Sequence, residues 1–165
     1  MSLSTRPVSI AALVLAAAIL PSGCDMFESS SKGDAKTTTG ASLYDRLGGE
    51  PAIKAVVDDF VSRAAQDPKV NFFRKGQPAE WKPAEADVAT FKTRMVQFIG
   101  MATGGPQKYE GKDMKTAHAG MKITNDEFNA LAADLTASLN KLNVPAKEQA
   151  ELLHIVETTR KDIVE

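Results

Sequence analysis

The sequence predicts an all-α domain, and three observations predict it. Four stretches repeat apolar residues at steps of three and four, the spacing of one helix face. No stretch alternates apolar and polar residues as a half-buried strand would, and no internal repeat is present. Glycine, proline and asparagine punctuate the chain between the four stretches. The chain has 165 residues. Setting aside a targeting segment and a linker leaves about 120 residues, enough for one core.

In chain order, residues 1–23 read as a bacterial export signal. Arg6 supplies the positive start, Val8 to Leu20 is an apolar run of signal-peptide length, and Pro21-Ser22-Gly23 leads through small residues into Cys24. The run is short for a mature membrane-spanning helix. Leu20-Pro21-Ser22-Gly23-Cys24 resembles a lipoprotein processing site, although Pro21 stands where an aliphatic residue is usual. That resemblance implies a lipid anchor at Cys24 and a membrane-anchored domain facing the periplasm or the cell exterior. Asp25 resembles an inner-membrane retention signal. Ordinary cleavage leaving a free cysteine is the alternative. Residues 24–42 are rich in Ser, Thr, Lys, Gly and Asp, and cannot bury enough apolar surface to fold. They are expected to form a tether reaching roughly 20–25 Å, with the domain occupying residues 43–165.

The first long helix is expected from Pro51 to Ala65, with Ile53, Val56, Val57, Phe60, Val61 and Ala64 on its buried face and Pro51 in its first turn. Gln77 to Ala86 is polar and proline-containing around Trp81; it reads as a loop or a short preliminary helix, with Trp81 packing as a lid. A second helix follows from Asp87 to Ala102, its stripe being Val88, Phe91, Met95, Phe98, Ile99 and Ala102, and Gly104-Gly105-Pro106 ends it. Met114 to Ala119 allows only one or two turns between glycines. Thr124-Asn125-Asp126-Glu127 is a capping box opening a helix with the stripe Phe128, Leu131, Leu135, Leu139 and Leu142. Asn143-Val144-Pro145 breaks it, and one last helix carries Leu152, Leu153, Val156 and Ile163.

Charge and cysteine content exclude several functions. Lys and Arg number 20 against 21 Asp and Glu, a net charge of -1, with no basic stripe for nucleic acid. One cysteine precludes an intramolecular disulfide and any cysteine-rich zinc or iron–sulfur site. His118 and His154 are the only histidines. His154 stands among Leu152, Leu153, Ile155 and Val156 and reads as a half-buried structural histidine. His118 sits on the short turn four residues after Met114, with Met121 just beyond. No ligands at zinc spacing accompany it, whereas haem asks the protein for a single strong axial ligand. On the residues alone, a ligand and a merely packed or solvated histidine both remain open.

Several short motifs then occur in one order. Ser42-Leu43-Tyr44-Asp45-Arg46-Leu47-Gly48-Gly49-Glu50, Asn71-Phe72-Phe73, Gly104-Gly105-Pro106, Lys108-Tyr109-Glu110-Gly111 and Met114-Lys115-Thr116-Ala117-His118 together resemble the group I truncated haemoglobins, as do Ile123-Thr124 and Val144-Pro145. The resemblance spans Leu43 to about Val164 and implies a two-over-two helical sandwich around haem b. His118 falls on the proximal iron ligand and Phe73 on the phenylalanine wedged against the porphyrin. Met114 is implied to pack beneath the ring and to offer its backbone carbonyl to the other imidazole nitrogen. Arg94 and Tyr109 become candidates to meet the haem propionates. His154 does not match the position, nearer the helix end, where some relatives attach haem covalently.

The distal side departs from the family pattern. The tyrosine expected after the position of Phe60 is Val61, and two further positions often polar in the family hold Phe91 and Met95. The expected distal pocket of Phe60, Val61, Phe91 and Met95, with Phe98 beside it, offers no hydrogen-bond donor. Reversible binding of oxygen or another diatomic gas is the function expected, with any electron donor external to the chain. The alternatives are a nitric oxide dioxygenase and a redox or gas-sensing haem with Met95 as sixth ligand.

Overall fold

The structure, a computed structural model, describes residues 40–165. The expected signal at 1–23, the lipidation site Cys24, Asp25 and all but the end of the tether lie outside the described residues. The helices are α1 (Leu43–Leu47), α2 (Gly49–Ala64), α3 (Glu85–Ala102), α4 (Met114–His118), α5 (Asn125–Lys141), α6 (Ala146–Thr158) and α7 (Arg160–Ile163). Among the described residues the β structure is limited to an isolated parallel bridge between Ile123 and Val164.

Ser42 ends the tether by capping α1: its hydroxyl oxygen accepts the N–H of Asp45 at 3.1 Å. Gly48 then turns the chain with φ of 97°, a left-handed conformation in which a Cβ would also stand 3.0 Å from that of Ala52. α2 therefore begins at Gly49, two residues before the expected start, and Pro51 lies in its first turn. All six residues of the expected α2 face are buried. At about 1.5–3 kcal/mol for each large apolar side chain, this burial makes α2 the central element. It packs on α3 and on α5, and α5 packs on α6, which is the expected two-over-two arrangement.

The capping box of α5 forms as expected, with Thr124 Oγ1 accepting the Glu127 N–H at 3.2 Å and Glu127 Oε2 accepting the Thr124 N–H at 2.8 Å. Phe128, Leu135 and Leu139 are buried. Leu142 departs from the expected stripe: it falls one residue past the helix end and is 38% exposed. The single last helix is instead two, α6 and α7, divided at Thr159. There the hydroxyls of Thr158 and Thr159 donate to the carbonyls of Ile155 and Val156 at 2.6 Å, competing with the helix's own hydrogen bonds. The stretch from Gln77 is a chain of turns without a helix until Glu85 opens α3.

Candidate haem cleft

α3 differs from α2 in how its apolar face is covered. Of its expected stripe, Ile99 is buried with neighbouring Gly100, while Val88, Phe91, Met95 and Phe98 are only half-buried. These four nevertheless pack against the core cluster that contains Phe60 and Val61, themselves 3% and 4% exposed. An apolar helix face lying partly open beside a packed core is suited to a flat apolar group rather than to water.

α4 supplies the ligand chemistry. Asp113 caps it, its Oδ1 accepting the N–H of Thr116 at 2.9 Å. The five-residue helix brings the Nδ1 of His118 to 2.7 Å from the carbonyl oxygen of Met114. A carbonyl oxygen can only accept, so Nδ1 carries the proton and the lone pair resides on Nε2. His118 and Met114 are both half-buried. Among the described residues there is no cluster of three or more His, Cys, Asp or Glu able to hold a bare metal ion. One imidazole with its Nδ1 committed, in a domain whose α3 leaves aromatic and methionine side chains half-covered, fits an iron already held by a porphyrin.

α4 packs chiefly on α7, and its flanks are tied to α3 before it and to the Phe73 segment, α5 and Glu165 after it. Before α4, Arg94 Nη1 donates to Glu110 Oε2 at 2.6 Å and to Gln97 Oε1 at 2.9 Å, and the rings of Phe98 and Tyr109 meet edge to face at 5.6 Å. The Arg94 guanidinium, then the Gln97 amide, hold the Glu110 carboxyl below its ordinary range. After α4, Arg74 reaches across from the Phe73 segment. Its Nη1 donates to Glu127 Oε1 at 2.7 Å and its Nη2 to the carbonyl of Lys122 at 3.2 Å. Glu165 completes this second tie, its carboxylate accepting the N–H groups of Gly120 at 2.8 Å and Lys122 at 3.0 Å.

The other expected site residues find these places. Phe73 is half-buried and packs in an aromatic group with Phe72 and Trp81. Arg94 has a protein partner in Glu110, and the Tyr109 hydroxyl donates to the carbonyl of Lys112 at 2.8 Å. Met95 packs against the core cluster. His154 is exposed rather than half-buried. Successive helical residues point about 100° apart, so its apolar neighbours in sequence do not share its face.

The polar residues of α3 near Met95 are all engaged. Lys92 pairs with Asp58 at 3.0 Å, the Thr93 hydroxyl donates to Ala89, and Gln97 Nε2 donates to Glu110 at 3.2 Å. Arg74 and Glu165 were missed by sequence reasoning; only the two adjacent phenylalanines hinted that the residue after them is buried.

Residues 42–165 match the bacterial-like globin family. A group 1 truncated haemoglobin from Tetrahymena pyriformis is 35% identical over 122 residues, covering 74% of this chain and 93% of that protein. One from Mycolicibacterium paratuberculosis is 34% identical over 113 residues, covering 68% of this chain and 76% of that protein. The Fe(III) form of the Tetrahymena pyriformis protein superposes with a TM-score of 0.64 at 33% identity, covering 75% of this chain and 98% of that one. A 2/2 haemoglobin from Synechococcus, in the cyanomet state with covalently attached haem, gives 0.64 at 30% identity with the same coverage. With a family match over residues 42–165 and group 1 relatives at a third identity over most of the domain, the chain belongs to the bacterial-like globin family, among the group 1 truncated haemoglobins.

Proposed function

We propose that this globin holds haem b with Nε2 of His118 as the one protein ligand of the iron, and binds a diatomic gas reversibly on the opposite face. The observation that carries the reading is the half-open apolar stripe of α3 in a fold whose α4 presents an imidazole with its Nδ1 already committed. Bound haem supplies an iron with a coordination position for the gas. Met114 fixes the tautomer and rotation of His118 through its carbonyl. Phe73 and Phe98 give the porphyrin apolar contact, and Val61, Phe91 and Met95 keep water from the gas side. Arg94 is the cation nearest in role to the haem carboxylates and exchanges between them and Glu110.

Retention of oxygen at such a site benefits from a buried donor, and its loss costs about 1–3 kcal/mol, or about ten- to a hundredfold in affinity. Oxygen is therefore released fast, and carbon monoxide is affected less. An external electron donor keeps the iron reduced. Titration of the purified protein with haemin tests the reading: a Soret band saturating at one haem per chain is expected. His118→Gly should lose the five-coordinate ferrous spectrum and regain it with added imidazole. No Soret band in the unaltered protein would refute the proposal.

We propose further that Cys24 is lipidated and anchors the domain outside the cytoplasm, on the support of the Leu20-to-Cys24 motif, the apolar run before it and the tether-like composition after it. Mass spectrometry of the mature N-terminus tests this, and an unmodified Cys24 would overturn it.

A further inference from the structure

Trp81 is the chain's one tryptophan, and the loop that carries it lies between the two segments that contribute Phe73 and Phe91. Its backbone N–H donates to the carbonyl of Phe73 at 2.9 Å. Its half-buried indole stands 5.6 Å from the ring of Phe91, 6.0 Å from Phe72 and 6.1 Å from Phe73, while Phe72 meets Phe91 edge to face at 5.5 Å. Phe91 is thus held by two aromatic neighbours, both on the helix-free stretch between α2 and α3. Turns at Arg74–Gln77 and Gln77–Glu80 build that segment, with Pro78 and Pro83 either side of the indole. Both prolines have a fixed φ, so the loop presents Trp81 in a restricted set of positions.

We infer that Trp81 is a specificity-determining residue of the gas site: by holding Phe91 in place it limits, by size, which ligands pass to the iron and how fast. This rests on the proposed haem site, with Phe91 on its gas face. Passage requires Phe91 to swing, and swinging breaks its contact with the indole. A barrier of this kind slows arrival and departure alike and leaves equilibrium affinity unchanged. A distal hydrogen bond would instead slow departure alone. Because the obstacle is steric, it discriminates by bulk, with n-butyl isocyanide hindered more than methyl isocyanide, and methyl isocyanide more than carbon monoxide.

The test is flash photolysis and stopped-flow mixing on the haem-loaded protein. In Trp81→Ala the association and dissociation rates of carbon monoxide should both rise about three- to tenfold, the equilibrium worth of one aromatic pair. Trp81→Phe, which keeps an aromatic ring at the position, should give a smaller rise. Phe91→Ala should speed both rates, after which Trp81→Ala adds little. In the unaltered protein n-butyl isocyanide should associate at least about threefold more slowly than methyl isocyanide, on the same energetic scale. Equal rates for the two isocyanides in the unaltered protein would overturn the inference without any variant having to fold. So would a Trp81 variant with a normal Soret band and unchanged carbon monoxide rates, or one altered in dissociation alone. Failure of the unaltered protein to take up haem would refute the haem site itself and is read separately.

Discussion

Replacing Arg74 by alanine should cost the domain about 3–4 kcal/mol, near the low end for breaking a buried ion pair plus one further hydrogen bond. The low end applies because the side chain of Glu127 is 17% exposed and keeps its bonds to Thr124, whereas that of Arg74 is 6% exposed. The variant also loses the donor to the Lys122 carbonyl. For a domain of about 125 residues this corresponds to a fall in Tm of roughly 10–15 °C. Backbone conformation supplies an internal control. Arg74 has φ of 52°, so Arg74→Gly loses the same contacts but relieves a left-handed strain of about 1 kcal/mol and should be more stable than Arg74→Ala by that amount. The assay is denaturant unfolding of the haem-loaded protein at fixed haem excess, because haem binding itself shifts apparent stability. A double-mutant cycle with Glu127→Gln isolates the pair. A loss below about 1 kcal/mol in Arg74→Ala, together with a coupling energy near zero, would place this contact among ordinary surface pairs and refute the reasoning.

Three further outcomes are expected. Val61→Tyr should slow oxygen dissociation by about ten- to a hundredfold by adding a hydroxyl donor at the proposed gas face, and an unchanged stopped-flow rate would show that residue 61 does not face the gas. Met95→Leu should leave the ferric absorption spectrum unchanged, since Met95 packs as an apolar side chain; loss of a low-spin spectrum would make it an iron ligand. Lys141, then Ser138 and Arg63, hold the Asp59 carboxyl down to about 2 from its ordinary value near 3.8. A carboxyl depressed on folding stabilises the native state above its unfolded value and loses that contribution as pH falls towards 2. Asp59→Asn should therefore flatten the stability profile between about pH 4 and pH 2, which acid titration by circular dichroism reads directly.

Legibility in the sequence followed the range of each interaction. The α2 face and the α5 capping box were readable because a helix writes its buried stripe and its cap into residues three or four apart. The pairing of His118 with Met114 was readable because the two stand four residues apart on one short helix, and one imidazole is all that haem asks of the protein. Periodicity locates an apolar face without saying how far it is covered, so the spacing alone did not separate the half-buried α3 stripe from the buried one of α2. Arg74 and Glu127 stand 53 residues apart, and Glu165 stands 45 from Gly120; no local pattern marks such partners. Leu142 fitted the heptad-like stripe but not the helix, because Asn143-Val144-Pro145 had already begun to unwind its last turn.

α1 has five residues, too few to hold a helix in water by its own hydrogen bonds. Arg46 joins it to Glu148 at 2.7 Å and to Glu151, and the Tyr44 N–H donates to the Thr103 carbonyl at 2.9 Å. The partners of Arg46 stand about a hundred residues further along the chain. In hydrogen exchange the leading helix should therefore open with the docking of α6 rather than fray as a free end. The Tyr44 amide, held by the residue that ends α3, should be protected like an interior one, so the beginning of the domain reports on its middle through Tyr44 and on its end through Arg46.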